Sequence, residues 1–390
     1  MRAYCSWMPD TRPRVLHAAL VPRISQGIAT QLLLEKQATR ELGITWETAL
    51  FSPRSDLEPF PEQLNMGPSS LEQVAGASMR RRVLTNLRLR RAFYSWLADV
   101  ESGFDVILLR YSVHDRMQAR FIRHSRAFIG LIHHAFEVEE LRTIDGMVGK
   151  VRAGLEAGIG SRSIRHADLI VGVTQEIADH EVSRVDDPRK ATLVYPNGGS
   201  DSATPVVDRR SETPHLLFAA SYFSPWQGLD LLLSSLGPCD REFVLHLVGE
   251  LSARDADVAA GDSRVIMHGS LTPVEMRDLA EVCWIGISSL AIERQGFLTA
   301  CPLKVRDYLS MGLPAVGNHQ EVLPKDFPFY VVRGPRISSI LEVADEWRAV
   351  SRADVAEYSH PYISKKLIVR SFYDDLSRVW IDGVERGRDA

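Results

Sequence analysis

A short predicted helix after Pro302 carries the residues of this chain that are best suited to bind an anion. It follows a loop of small residues, 299–301. The free N–H groups and the positive dipole end at a helix start attract anions, typically phosphate. Lys304 and Arg306 add positive charge there. The carboxylate of Asp307, one turn further into the helix, could accept hydrogen bonds from a sugar hydroxyl. The spacing predicts a binding site for a nucleotide sugar. The structural alternative is that Lys304 and Asp307 form an ion pair on the protein surface.

Two adjacent histidines, His133 and His134, follow a predicted buried strand that ends at Ile132. In a parallel α/β sheet, ligands bind at the carboxyl ends of the strands. His133, as the first residue past the predicted strand, is the first candidate, and the alternative is that both histidines belong to a polar strand-end loop. Glu137 could bind acceptor hydroxyls or act as a base, or it could belong to a solvated acidic helix start.

Two more positions lie where predicted strands end. Arg110 follows the predicted strand 105–109 and is a candidate for contact with an acceptor or a phosphate, against a structural role. Gly27 ends the turn after the first predicted strand and would let the backbone pass close to a phosphate. An ordinary strand–helix turn would use a glycine there as well.

Composition limits the class of protein. A chain of 390 residues is too long for one ordinary core, so we expect two domains. With 45% hydrophobic and 25% charged residues, it is typical of a globular protein. A net charge of −4 is unlike that of a nucleic-acid binder, and we expect no nucleic-acid partner.

The cysteines and the start of the chain indicate a cytoplasmic protein. None of the four cysteines forms a C-x-x-C pair, and no histidine cluster has zinc spacing, which argues against a disulfide framework or a structural metal. Residues 1–14 lack the apolar core of a signal peptide. No apolar run reaches the roughly 18 residues of a membrane span.

Short apolar runs alternate with helical patterns along the whole chain, which is typical of parallel α/β sheets. Predicted strands of the first half cover 15–21, 45–51, 105–109, 127–132, 169–173 and 193–195, and its predicted helices cover 28–42 and 78–100. After a predicted linker over 200–214, strands follow at 215–220, 243–248, 264–268, 284–288 and 315–317, and helices at 228–236, 273–282, after Pro302 and at 365–384. Residues 53–70 form a predicted loop. We expect two doubly wound halves that face each other across a cleft.

The predicted helix over 78–100 is strongly basic. Its arginines alternate with apolar and aromatic residues: Arg80, Arg81, Arg82, Arg88, Arg90 and Arg91 with Val83, Leu84, Leu87, Leu89, Phe93, Trp96 and Leu97. A basic amphipathic helix with aromatic residues can lie on an anionic membrane surface, here the inner face of the membrane. The alternative is an arginine-rich solvated face on an ordinary core helix.

Several short segments together resemble the retaining glycosyltransferases of the GT-B fold, family 4 (glycosyltransferase group 1), in order along most of the chain. The segment 167–174 resembles the family's A-D-x-I-x-x-V-S strand and turn, and 196–198 its P-N-G segment. Residues 224–230 resemble P-W-K-G-x-D, and 303–314 resemble L-K-x-x-E-Y-L-x-x-G-x-P. The turn 22–27 resembles the loop after the family's first strand.

This resemblance implies two Rossmann-like domains. An acceptor-side domain would cover 1–205, with the C-terminal helix 368–390 packing back on it, and a nucleotide-sugar domain would cover 206–367. The activity implied is transfer of a sugar from a nucleotide-diphosphate sugar to a glycan, lipid-linked glycan or other hydroxyl acceptor, as in polysaccharide biosynthesis. No cofactor is implied beyond the nucleotide-sugar substrate.

The resemblance also assigns residues. His133 and His134 would stand near the reacting sugar, while Gly27, Arg110 and Glu137 would face the acceptor. The donor residues implied are Lys304, Arg306, Asp307, Thr299, Tyr222, Gln227 and Gly249. No metal site is implied, and the D-x-D triplet at 255–257, of a kind that metal-dependent glycosyltransferases of another fold use, is expected to be solvated surface.

The chain departs from the family pattern at its donor cations. The family commonly has an arginine and a lysine around its P-W-K-G turn. This chain has Tyr222 or Ser221 at the arginine position and Gln227 at the lysine position, and Asp307 replaces the usual glutamate. Two alternatives therefore stay open. One is a degenerate, non-catalytic GT-B protein that acts as a partner subunit, and the other is a nucleotide-sugar epimerase or hydrolase of the same fold.

Overall fold

A computed structural model describes residues 12–22, 26–53, 78–144, 146–187, 189–202 and 204–388. Most of the predicted loop over 53–70, and the middle of the turn 22–27, lie outside the described residues. The chain forms two compact units, Met1–Tyr195 with Ile368–Ala390 and Pro196–Leu367.

The first unit is built around a six-stranded parallel sheet. Its strands are β1 (Val15–Leu20), β2 (Trp46–Phe51), β3 (Val106–Arg110), β4 (Phe128–His133), β5 (Leu169–Gly172) and β6 (Ala191–Val194), in the order β2-β1-β3-β4-β5-β6. The central strands are rich in Val, Ile and Leu and almost wholly buried, as expected for a parallel sheet covered on both faces.

Helices connect these strands. They are α1 (Gln26–Leu42), α2 (Met79–Val100), α3 (Arg116–His124), α4 (Glu137–Arg142), α5 (Gly146–His166) and α6 (Gln175–Ser183). The side chain of Asp115 caps α3 by accepting two backbone N–H bonds, and that of Thr174 caps α6 by accepting one. The C-terminal ends of α2, α3 and α5 share one hydrophobic core with the sheet.

The second unit repeats this plan. Its main sheet has the order β14-β12-β10-β7-β8-β9, all parallel. These strands are β7 (His215–Tyr222), β8 (Val244–Glu250), β9 (Val265–Gly269), β10 (Ile285–Ile287), β12 (Ala315–Gly317) and β14 (Tyr330–Val332), while β11 (Thr299–Ala300) and β13 (Gln320–Glu321) form a separate pair. The helices are α7 (Leu229–Ser234), α8 (Ala253–Ala260), α9 (Pro273–Val282), α10 (Leu303–Ser310), α11 (Ile337–Glu346) and α12 (Arg352–Ile363).

The last helix, α13 (Lys365–Arg388), belongs to the first unit from Ile368 onward. Its Phe372 and Tyr373 are buried and pack their rings against Trp46 of β2. The Phe372 ring also lies 4.4 Å from the ring of Tyr195. This aromatic cluster packs the last helix against the first unit, to which Trp46 and Tyr195 belong.

The predicted alternation of strands and helices is confirmed, with α9 and β12 at the predicted bounds and most other ends within two residues. One difference affects the site. His133 is the last residue of β4 and not the first residue after it, because it still pairs with Gly172 of β5. The first residue past the strand is His134.

Candidate functional site

The start of α10 carries an amine that forms no ion pair with a carboxylate of the described residues. Lys304 is the second residue of α10, and its ammonium donates a hydrogen bond to the Gln227 side-chain oxygen at 2.7 Å. The same ammonium lies 4.9 Å from the centre of the Phe218 ring. Among the described residues Lys304 forms no ion pair. Although the side chain keeps some exposure, burial lowers the pKa of Lys304 to about 7.

Gln227 is placed by the turn that follows β7. Its backbone N–H donates to Ser224, and its side-chain oxygen also accepts a hydrogen bond from the Ser289 hydroxyl at 3.1 Å. Ser289 itself follows β10. An amide oxygen is neutral, so it orients the Lys304 ammonium without cancelling its charge, and the remaining donors of that ammonium stay available for an anion.

Arg306, in contrast, is an internal residue. Its side chain is fully buried, lies 3.0 Å from the Glu321 carboxylate, which is itself buried, and donates to the Asn197 backbone oxygen. The periodicity of α10 explains this, since Arg306 falls on the same face as the buried Val305 and Leu309. We therefore leave Arg306 out of the anion site.

The other predicted donor residues lie on four elements of the second unit. Asp307 is exposed, three residues after Lys304, and Tyr222 is 48% exposed at the end of β7. Thr299 is partly buried in β11 and pairs with Gln320. Gly249 lies near the end of β8 with a φ of +121°. The ends of β7, β8 and β10 place Tyr222, Gly249 and the Gln227 turn at one edge of the sheet, the carboxyl edge.

A second polar cluster fills the carboxyl end of the sheet in the first unit. The imidazole of His133 is fully buried, stacks on the Tyr111 ring at 4.3 Å, and has its Nδ1 3.1 Å from the Glu137 carboxylate. The Glu181 carboxylate lies 3.5 Å from the same nitrogen. Burial lowers the pKa of His133 to about 4, so this imidazole is neutral at physiological pH.

Two predicted residues form the outer part of this cluster. A guanidinium nitrogen of Arg110, the last residue of β3, lies 2.7 Å from Nε2 of His134. Both side chains are partly exposed. The structure therefore brings Arg110, His133, His134 and Glu137 together, but it puts His133 and Glu137 in the interior and leaves Arg110 and His134 at the surface.

Sequence reasoning missed three members of the cluster. Glu181 on α6 and Glu156 on α5 are fully buried, and Arg184 bonds both carboxylates. The Tyr111 hydroxyl donates to Glu156. The only signal in the sequence was that each glutamate falls on the otherwise apolar face of its helix. That position does not identify the residue that pairs with the glutamate.

Charge within the cluster is unbalanced, with three buried carboxylates, Glu137, Glu156 and Glu181, around one bonded arginine, Arg184. Burial raises the pKa of Glu137 to about 8 and that of Glu181 to about 7, so the cluster holds protons at neutral pH. The donor atoms of His133, Glu137 and Glu181 lie within 4.8 Å of one another, close enough for a metal ion. Because Arg184 already bonds Glu181, we infer that protons, and not a metal ion, balance the remaining negative charge of the carboxylates.

Two remaining positions lie apart from these clusters. Gly27 is the second residue of α1 and is partly exposed. Asp255 of the D-x-D triplet accepts a bond from Ser252 at the start of α8, and Asp257 is exposed on the same helix. The triplet therefore lies on a helix surface.

The solved structures that this chain resembles include glycosyltransferases. The lipopolysaccharide outer core galactosyltransferase WaaB superposes with a TM-score of 0.61 at 12% identity, over 93% of this chain and 99% of its own. HepE of Anabaena in complex with UDP matches with a TM-score of 0.59 at 12% identity, over 94% and 100%.

The catalytic domain of starch synthase IV from Arabidopsis thaliana, bound to ADP and acarbose, matches with a TM-score of 0.62 at 11% identity, over 96% and 100%. The chain has the GT-B fold. No family model matches the sequence, and no curated protein matches it either. At these identities the likeness establishes the fold, and the activity must be argued from the site.

Proposed function

We propose that this GT-B protein is a glycosyltransferase that moves a sugar from a nucleotide-diphosphate sugar to a hydroxyl acceptor, with retention of configuration and without a metal ion. The observation that carries the proposal is the Lys304 ammonium at the start of α10. It is partly buried and donates a hydrogen bond to a neutral amide, and no described carboxylate pairs with it. A desolvated cation without a counter-ion favours an anionic ligand.

A nucleotide diphosphate fits this position chemically. As the bond to the sugar breaks, negative charge grows on the leaving diphosphate, and a fixed cation beside a helix start stabilises that charge. The acceptor oxygen would attack the same face of the sugar that the diphosphate leaves, a route that needs no protein nucleophile. The protein then has to align two substrates and neutralise the leaving group. Asp307, exposed one turn later, is available for a ribose or sugar hydroxyl.

In the first unit we assign acceptor contact to Arg110 and His134, because these two members of the polar cluster are partly exposed. His133 and Glu137 lie behind them in the interior. Their proposed role is to hold the end of β4, and therefore His134, in place. The acceptor is a hydroxyl of a glycan or of a lipid-linked glycan.

Calorimetric titration with UDP, GDP and ADP tests the donor site. We expect one of them to bind the wild-type protein equally well with and without EDTA. Lys304→Gln should weaken that binding by about tenfold or more, since a charge-assisted hydrogen bond is lost. Lys325→Gln, at an exposed lysine of the same unit, is the matched control and should bind as wild type does. Equal affinities for Lys304→Gln and wild type would remove the basis of the proposal.

A non-catalytic nucleotide-binding protein is the second candidate, because Gln227 and Tyr222 stand where the resembled family commonly has cations. Incubation with the matching nucleotide sugar and a panel of acceptors separates the two. Release of the nucleoside diphosphate with formation of an α-linked product from an α-linked donor, seen by NMR, supports a retaining transferase. Binding without turnover on any acceptor supports the second candidate.

A further inference from the structure

One strand at the edge of the second unit's sheet is unusually exposed. The strand orders place β2 and β6 at the edges of the first sheet, and β14 and β9 at the edges of the second. β2 and β14 each have one exposed residue and β6 has none, whereas Ile266, Met267 and Gly269 of β9 are all exposed. Proteins usually protect an exposed edge with charged residues or cover it. β9 contains no lysine, arginine, aspartate or glutamate, and no described strand pairs with its outer side.

The hydrogen bonds of β9 show which of its backbone groups point outward. The backbone oxygen of Arg264 accepts a hydrogen bond from the Leu245 N–H on β8 at 2.8 Å, so residue 264 faces β8. Alternate residues of a strand direct their N–H and C=O groups to opposite sides. Ile266 therefore also faces β8, and Met267 turns both of its backbone groups to the open side. The register between β8 and β9 shifts only after Met267.

Apolar side chains lie on both faces of this edge. Met267 is 42% exposed and lies on the same face of the sheet as Leu247, its partner on β8. α8 covers that face, since Ala259 shares a hydrophobic cluster with Leu247, and the neighbouring Val258 is 50% exposed. Ile266 points to the opposite face and is 43% exposed. An unpaired backbone between exposed apolar side chains is typical of an interaction surface.

We propose that two copies of this chain pair through β9, with the two strands antiparallel about a twofold axis. The sheets of the two second units would then form one continuous sheet. The contact of one five-residue strand is small beside the roughly 800 Å² that each partner buries in a standard interface. We therefore expect a reversible dimer with a dissociation constant in about the micromolar range.

The free backbone groups determine the register of this pairing. A twofold axis between antiparallel copies of one strand passes beside a residue that faces itself. An axis at Ile266 would need the Val265 N–H, but this group already donates to the Asp262 oxygen at 3.0 Å. An axis at Met267 uses the outward N–H and C=O of that residue alone. Each Met267 would then exchange both hydrogen bonds with the partner's Met267.

This pairing brings no like charges together within β9. The strand contains only apolar residues, glycine and His268, and burial lowers the pKa of that imidazole, which is therefore neutral at physiological pH. Arg264, just before the strand, already pairs with Asp262 at 2.7 Å. At the axis, the apolar Met267 side chain would face the partner's Met267.

Other occupants match β9 less well. Among the described residues no helix is long and apolar enough to cross a bilayer. β9 itself has no cation that would hold lipid phosphates or nucleic acid, and a charged peptide would find no opposite charge on the strand. A second copy supplies an uncharged strand with the same outward groups and the same apolar side chains.

The pairing is independent of the proposed function. Antiparallel strands point in opposite directions, so the carboxyl edges of the two sheets would lie on opposite sides of the dimer. Tyr222 and Gly249 lie at the carboxyl edge of their own sheet. Dimer formation would therefore leave both donor sites accessible, and we expect the same nucleotide affinity for monomer and dimer.

Sedimentation velocity of the full chain over a range of concentrations tests the pairing. We expect a reversible dimer that high salt does not dissociate, because no ion pair holds it. Met267→Lys should raise the dissociation constant by at least tenfold, since two ammonium groups would meet at the axis. The matched control is Val332→Lys on β14, the edge strand at the other end of the same sheet, where the valine is 46% exposed. It should dimerise as wild type does.

Met267→Pro tests the backbone hydrogen bonds themselves. Proline removes an N–H that points away from β8, so the fold should be kept, as judged by circular dichroism, while the dimer is lost. Ile266→Pro would instead remove a bond to β8 and should lower the free energy of unfolding of the second unit.

Cross-linking tests the register. Residues of a hydrogen-bonded antiparallel pair have Cα atoms about 5.5 Å apart, within the usual range for a disulfide. Met267→Cys should therefore form an intermolecular disulfide on mild oxidation, well above the wild-type background. Ile266→Cys should form far less, because Ile266 would lie opposite the partner's His268.

Three outcomes would overturn the proposal. They are a wild-type monomer at every concentration, a Met267→Lys dimer as stable as that of wild type, and cross-linking through Ile266→Cys in preference to Met267→Cys. Calorimetric titration of the same variants with the nucleoside diphosphate reports the donor site separately. Its failure would affect the proposed function and not the pairing of β9.

Discussion

The lowered pKa of Lys304 should make nucleotide binding depend on pH. A pKa of about 7 means that its amine loses its proton as the pH rises through neutrality, and a bound diphosphate would raise that pKa by favouring the charged form. Binding should therefore take up a proton. We expect the affinity for the diphosphate to fall above pH 7, by up to about tenfold per pH unit. Calorimetry in buffers of different ionisation enthalpy measures both effects.

Lys304→Arg is the control for this pH dependence. Arginine stays charged throughout the range, so the slope that comes from the protein should disappear, while any titration of the ligand remains in both profiles. Parallel pH profiles for wild type and Lys304→Arg would show that Lys304 is already fully charged in the free protein.

The cluster around Glu137 makes a different prediction, about stability. Because the pKa of Glu137 is raised to about 8 in the folded protein, the folded state holds a proton that the unfolded chain releases at neutral pH. The free energy of unfolding of the first unit should therefore fall as pH rises, by about 1 kcal/mol per pH unit. The window is pH 6.5 to 8, because the lowered pKa of His133 opposes this trend only at lower pH.

Glu137→Gln isolates this contribution. Glutamine keeps an oxygen beside Nδ1 of His133 but has no ionisable proton. The chemical denaturation midpoints of this variant should therefore change less between about pH 6.5 and 8 than those of wild type. A steeper dependence in the variant would contradict the assignment of a proton to Glu137.

Gly249 shows a constraint that only the structure reveals. Its φ is +121°, and an added Cβ would lie 1.6 Å from the backbone oxygen of Ala220 on the neighbouring strand. Gly249→Ala should therefore lower the free energy of unfolding by about 3 kcal/mol. Gly237→Ala, at an exposed turn with open space around it, should change stability little. Denaturant unfolding of both variants makes the comparison.

Residue types and strand ends predicted which residues lie at the carboxyl edges of the sheets, but not their side-chain partners. Lys304 and Arg306 are two residues apart on one helix. Only the packing of α10 determines that Lys304 has no carboxylate partner among the described residues and that Arg306 is buried beside Glu321. Likewise, a one-residue error in the end of β4 exchanges the interior and exterior positions of His133 and His134.

At the scale of elements, the strands were predictable because buried parallel strands are continuous runs of Val, Ile and Leu. α5 was not predicted, since its five glycines disfavour a helix. The structure explains two of them. A Cβ at Gly149 would lie 2.1 Å from the Ile144 backbone oxygen, and one at Gly160 would meet Tyr111, Glu156 and Arg184. Gly149 lets α5 lie close to the end of α4, and Gly160 lets α5 approach the polar cluster.

The final helix should be essential to the first unit. Phe372 is 3% exposed and lies between Trp46 and Tyr195, so Phe372→Ala removes a large buried ring and leaves a cavity. We expect a loss of about 3 to 5 kcal/mol in the free energy of unfolding. Leu298→Ala, at a leucine 61% exposed in the other unit, is the control for truncation alone. Thermal denaturation measures both variants. An equal loss of stability in Phe372→Ala and Leu298→Ala would contradict this role of α13.

At the scale of the whole molecule, each unit has hydrophobic clusters of its own. Separate cores predict two calorimetric unfolding transitions. Phe372→Ala should move the transition of the first unit and so identify it. The nucleoside diphosphate that binds at Lys304 should move the other transition upward, by about 2.7 kcal/mol at a hundredfold excess over Kd, which is a few degrees for a unit of this size. If the ligand instead raised the transition that Phe372→Ala lowers, the donor site would belong to the first unit, and the assignment of Lys304 would be wrong.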